Sequence, residues 1–170
     1  KMVLGIDNLS RGEISYKYPP ANISIESFER SVQAAAEPQQ DPPRYTMGEA
    51  TFSRYNQAVA VFAAIDKAAL AKFYRWGQPL WQQAYNELGS AEVSFNKVTI
   101  TALDQLLRAP DIEGDIALIR PSVMFKYADS GLEKRSDSDK LMLRLGPDNR
   151  RVFKAALREF KNELNKEKKI

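Results

Sequence analysis

The chain has 170 residues, 44% of them hydrophobic and 28% charged, with 25 Lys and Arg against 22 Asp and Glu. That length suits one domain with a sizeable core. A net charge of +3 is too balanced for a disordered linker, and eight glycines and no cysteine in 170 residues exclude a collagen and a disulfide mini-protein. Neither cysteine nor histidine is present. The chain therefore builds no thiolate nucleophile, no Ser-His-Asp triad and no cysteine or histidine metal cage. Any catalysis falls to carboxylates, lysine, tyrosine or an oxygen-bound cation.

Position 1 is Lys, and residues 2–6 begin like the tail of an apolar helix, so the sequence reads as a fragment of a longer chain. The longest apolar run, residues 58–65, is far short of the roughly 18 residues a membrane-spanning helix needs. No signal-peptide pattern is present. Residues 8–12 read as a helix stop and 16–20 as extended chain. Ile23-Ser24-Ile25 alternates like a short strand, although Phe28, Val32 and Ala35 also fit one helical face. Residues 37–43 (EPQQDPP) are a long loop, since each proline biases its predecessor away from helix.

From Gly48 onward the pattern is helical. Phe52, Tyr55, Val59 and Phe62 recur at three and four residues, predicting a helix over about 49–65. Asp66 is a candidate N-cap for a second helix running through Leu70 and Phe73 to Trp76. Gly77 and Pro79 break it; Leu80, Trp81, Ala84 and Leu88 resume the stripe, and Gly89 stands where a C-cap belongs. Phe95, Val98, Ala102, Leu103, Leu106 and Leu107 predict a helix that stops before Pro110 and is capped by Ser94. Residues 116–127 fit strands or a proline-started helix equally well. Residues 136–145 read as a short helix ended by Gly146, and Pro147 opens a last helix with Phe153, Leu157, Phe160 and Leu164 on one face. The pattern predicts a mainly α, compact multi-helix domain over 1–170. Its β content is at most a small hairpin in the N-terminal part, around 23–26 and 44–47.

Several pieces also carry a resemblance. They are Ile6-Asp7-Asn8-Leu9, residues 62–89 with their AYNELG ending, residues 102–107 and Leu118-Ile119-Arg120-Pro121. Tyr127-Ala128-Asp129, Leu132-Glu133 and residues 140–149 (KLMLRLGPDN) complete the set. In this order and spacing they resemble a Gram-negative bacterial family catalogued as domain of unknown function 3014. Ser130 and Asp139 depart from the proline and glutamine usual in that family. The resemblance implies one membrane helix near the N-terminus, a proline-rich linker, and then this domain on the periplasmic side of the inner membrane. It brings no catalytic residues with it.

Candidate sites follow from residue types. Ser94-Phe95-Asn96-Lys97 has the Ser-x-x-Lys spacing of serine acyl-enzymes but lacks their Lys-Thr-Gly element. Asp111, Glu113 and Asp115 form one acidic group, and Asp129, Glu133, Asp137 and Asp139 a second; both read as solvated loops and helix caps rather than metal sites. The closest two glycines, Gly5 and Gly12, are seven positions apart, so no phosphate-cradling glycine loop exists. Residues 150–170 carry eight basic and three acidic side chains. Arg151, Lys154 and Arg158 are their candidate anion contacts, set against an ordinary solvated face. Without stacking aromatics outside the buried stripe, nucleic acid is not an expected partner.

Tyr74, Arg75, Trp76, Trp81, Tyr85 and Arg120 combine the residue types that dominate interface hot spots. Arg75, Trp76, Trp81, Tyr85 and Arg120 are the candidate partner contacts. The alternative for them is core packing, with Arg75 or Arg120 paired to Glu87 or Asp104. The expectation is a non-enzymatic interaction or scaffolding domain of the bacterial envelope, with an envelope protein as partner and no metal or cofactor. Two alternatives stand beside it. One is an enzyme acting on envelope glycans through Glu87 and Asp104; the other is anionic-lipid or polyanion binding by the basic last helix.

Overall fold

The computed structural model describes residues 1–14, 25–33, 43–89 and 92–166. It is mainly α, as the periodicity predicts. Two helices, α1 (Met2–Ser10) and α2 (Ile25–Gln33), precede strand β1 (Arg44–Met47). The helix expected over 49–65 is α3 (Glu49–Phe52) and α4 (Asn56–Ala64), joined by a 3-10 turn at Ser53–Tyr55. The tightening has a visible cause. Asn56 N–H bonds to Ser53 O, and the Phe52 carbonyl instead accepts Asn149 Nδ2 at 3.1 Å.

Asp66 caps α5 (Lys67–Trp76) by accepting the Ala69 N–H at 2.6 Å. Gly77 then separates α5 from α6 (Gln78–Asn86). A Cβ at Gly77 would come within 2.6 Å of the Trp81 indole, which folds back and donates its Nε1–H to the Tyr74 carbonyl at 3.2 Å. Close approach, rather than backbone strain, makes glycine the residue for this corner.

Helix α7 (Phe95–Leu107) has the expected extent, but Ser94 does not cap it with its side chain. Gln82 Oε1 of α6 accepts the Phe95 N–H at 2.8 Å, so the cap comes from a neighbouring helix. Short α8 (Ser130–Glu133) leads to α9 (Asp137–Arg144), capped by Ser136, and to α10 (Pro147–Asn165). Gly146 turns the α9–α10 corner at φ +80°, where a Cβ would also overlap the Phe52 ring. The resembling segment KLMLRLGPDN is this corner.

The ambiguous stretch 116–127 resolves as β2 (Ile116–Ile119) and β3 (Lys126–Tyr127). The sheet is antiparallel in the order β1-β2-β3, with Arg44 opposite Ile119 and Leu118 opposite Tyr127. The strand expected at 44–47 is present, but its partner lies in the second half of the sequence and not at 23–26. Residue 25 opens α2, and residues 23–24 lie outside the described residues, as do 16–20 and 37–42. The alternation of β2, with Ile116 and Leu118 buried between exposed Ala117 and half-exposed Ile119, supplies the apolar edge that β1 pairs with.

Two apolar clusters fill the interior. The larger lies among α1, α4, α5, α6, α7 and α10, around Phe95, Ala71 and Leu157. The smaller joins Val32, Met47, Phe52, Ile116, Leu118 and Leu143 beneath the sheet. Met142 and Leu143, adjacent on α9, enter different clusters, so this helix links the two.

Candidate functional site

Helix α5 carries two apolar faces. Ala71 and Tyr74 are buried with the Lys67 side chain. The stripe the sequence suggested as core, through Phe73 and Trp76, points outward: Phe73 is 56% exposed, Trp76 74%, and Leu80 at the start of α6 57%. The Phe73 and Trp76 rings lie 6.0 Å apart, and Phe73 and Trp81 6.5 Å. Residues 67–86 contain Lys67, Lys72 and Arg75 and no carboxylate. The result is an apolar ridge of adjacent aromatic rings with exposed Lys72 beside it; the Lys67 side chain is turned inward.

The structure divides the candidate partner set. Trp76 lies on the ridge and half-buried Trp81 supports it from below. Tyr85 is buried, its ring 5.4 Å from Phe95 and its hydroxyl 3.3 Å from Asp7 Oδ1. Arg75 donates to the Glu163 carbonyl at 3.2 Å, tying α5 to α10. Arg120 belongs to the sheet region, 3.9 Å from Glu29 and stacked at 4.9 Å over Phe125. The pairing suggested for Arg75 or Arg120 with Glu87 or Asp104 is replaced by these contacts. Asp104 instead accepts from Lys161, and Glu87 is exposed at the end of α6. Phe73 and Leu80 complete the ridge and were not singled out from sequence. Their three- and four-residue spacing was visible, but periodicity alone does not say which of two apolar faces is covered.

A second constellation lies on α10. Its buried face begins with cations: Arg150 is 1% and Lys154 3% exposed. Lys154 Nζ donates to the Ala109 carbonyl at 2.6 Å and to Asp111 Oδ1 at 2.7 Å. Arg150 reaches the same oxygen through Nε at 3.3 Å and donates Nη2 to the Ile112 carbonyl. These bonds fasten the loop between α7 and β2. They also hold the Asp111 carboxyl below its ordinary range, chiefly through the Lys154 hydrogen bond and against the opposing effect of burial. A cleft of about 260 Å³ opens here, lined by Asp111, Glu113, Arg150, Arg151, Lys154 and Arg158. Thus Arg151, Lys154 and Arg158 share one cleft, with Lys154 as a buried tie instead of a solvated charge. Arg150, the most buried of the four cations, was not singled out. It lies four residues before Lys154 and seven before Leu157, in phase with the core face.

The acidic groups have structural roles. Asp129 caps α8, Glu133 accepts the Tyr127 N–H at 3.0 Å, and Asp139 pairs with Arg135 at 3.4 Å. Glu113 lies 3.8 Å from Arg151. A further cleft of about 220 Å³, over the α9–α10 corner, is lined by Glu49, Asn56, Asp148 and Asn149 among others. Glu87 and Asp104 line neither cleft. Burial pushes the Tyr127 hydroxyl up to about 12, outside the range useful for proton transfer near neutrality.

No curated protein and no solved structure matches the chain. A family match covers residues 1–161, nearly the whole sequence, and the chain therefore belongs to the family described as protein of unknown function (DUF3014).

Proposed function

We propose that this chain is a non-catalytic interaction domain of the bacterial cell envelope. In this reading it faces the periplasm from the inner membrane, and its ridge of Phe73, Trp76 and Leu80 docks on a protein partner presenting an acidic, apolar segment. The observation that carries it is the outward stripe: three large apolar side chains, each more than half exposed, follow one another along α5 and α6. Single exposed apolar residues are ordinary on protein surfaces, whereas contiguous ones mark contact sites. Trp is the residue type most enriched at interface hot spots. Exposed Lys72 beside the ridge favours an acidic contribution from that partner. The envelope location and the membrane tether rest on the family resemblance.

The test is crosslinking of the full-length protein in its native envelope, read by mass spectrometry of the joined peptides. Crosslinks from Lys72 to an acidic, apolar segment of one protein, lost in Trp76→Ala with an unchanged melting temperature, are the expected result. Crosslinks to such a segment that persist in both Trp76→Ala and Leu80→Ser would overturn the docking surface.

A further inference from the structure

The cationic end of α10 holds more donors than the fold uses. Along one helical face Leu164, Phe160 and Leu157 give way to Lys154 and Arg150 without the face leaving the interior. Both cations share a single oxygen, Asp111 Oδ1. Lys154 uses two of the three donors of an ammonium, on Ala109 and Asp111. The Arg150 Nη1 is buried and has no hydrogen-bond partner. A buried guanidinium nitrogen without an acceptor calls for a water or an ion. On the open side of the cleft, the Arg158 guanidinium has no hydrogen-bond or ion-pair partner among the described residues. Arg151, Lys154 and Arg158 follow at three and four residues, so they border the same side of the helix.

Four cations and two carboxylates, Asp111 and Glu113, line the cleft, an excess of two positive charges. We propose that this cleft binds a phosphate monoester dianion. Lys154 and Arg150 form its buried floor, and Arg158 and Arg151, the latter donating to Asp148 at 2.9 Å, are its exposed outer arms. Guanidinium groups match phosphate oxygens with paired, charge-assisted hydrogen bonds. The volume of about 260 Å³ accommodates the phosphate and a small part of whatever carries it. The exposed Asp111 carboxylate, 63% accessible, is the resident counter-ion that the ligand joins or displaces. The ligand chemistry is the same for a soluble phosphorylated molecule and for a phosphomonoester lipid headgroup.

The test uses the purified chain. Calorimetry with inorganic phosphate probes the soluble source. Flotation with phosphatidylcholine vesicles, with and without phosphatidate, probes the lipid source. Arg158→Gln and Glu113→Gln alter exposed side chains and are expected to leave the unliganded melting temperature unchanged. Saturable binding in either assay is expected to weaken about tenfold or more in Arg158→Gln, the loss of one charge-assisted contact. It is also expected to tighten in Glu113→Gln, where a repelling carboxylate is gone, and to weaken as salt rises. Binding of free phosphate assigns a soluble ligand, and binding of phosphatidate vesicles alone assigns a headgroup; both support the site. No saturable binding in either assay, or binding indifferent to both substitutions, would overturn it.

Discussion

Two buried lysines show how this chain uses cations as fasteners. Lys67 is 2% exposed, and its Nζ donates to the carbonyls of Phe62 at 2.9 Å, Ala63 at 3.0 Å and Ile65. These are orphan acceptors at the end of α4, where the helix dipole also favours positive charge. Lys67→Met keeps the apolar stem and deletes the three bonds. Leaving these part-buried carbonyls without the ammonium is expected to cost about 1–2 kcal/mol, measured by urea denaturation. Lys154 does the same for the loop after α7, with Asp111 as counter-ion. Because the folded Asp111 pKa is depressed below its ordinary 3.8, its stabilisation is present above that value. It is lost as pH falls through the depressed one. Asp111 is 63% exposed, and solvent screening limits the effect to about 1 kcal/mol. The melting temperature of the wild type is therefore expected to fall more steeply than that of Asp111→Asn as pH drops below about 4. Equal acid sensitivity would remove Asp111 from the account.

At the scale of elements, helices with one apolar face were legible and those with two were not. Helix α7 was read to its ends because Phe95, Val98, Ala102 and Leu106 have a single buried face. Ser94 is the local cap candidate, whereas the acceptor in the structure, Gln82 Oε1, comes from another helix and leaves no local trace. In helix α5 the spacing joins Leu70, which is partly buried against the core, to Phe73 and Trp76, which face outward, while Ala71 and Tyr74 pack inside. Trp76 and Trp81 separate the two faces experimentally. Trp76→Ala is expected to change stability by less than about 0.5 kcal/mol. Trp81→Ala, which empties the space against Gly77 and frees the Tyr74 carbonyl, is expected to cost about 3 kcal/mol. Similar losses from both would mean the ridge is packed and not presented. The pairing of the strands escaped for a different reason: β1 and β2 are four residues each and some seventy positions apart, and pairing over that separation has no periodic signature. In α10 the phase of Arg150 and Lys154 with Leu157 was visible, but residue type argued for solvent. The counter-ion that reverses the argument, Asp111, comes from another element.

The whole molecule is two apolar clusters joined through adjacent residues of α9, with α10 laid along the larger. One of the segments that carry the family resemblance, KLMLRLGPDN, forms the corner between those helices. There Asn149 binds the Phe52 carbonyl, Asn56 and the Leu145 carbonyl. The motif thus fixes the α9–α10 corner, and two surfaces are proposed for contact. They are the ridge on α5 and α6 and the cationic cleft on α10. Another exposed apolar pair, Val123 and Met124 at 74% and 60%, is borne on the turn between β2 and β3 and serves as an internal comparison. A photoreactive residue at position 76, and separately at position 123, in the full-length protein within its native envelope tests the interaction reading most directly. Adducts to one protein from position 76, with none from position 123, are the expected result. Adducts of equal yield from both, or none from position 76, would contradict it.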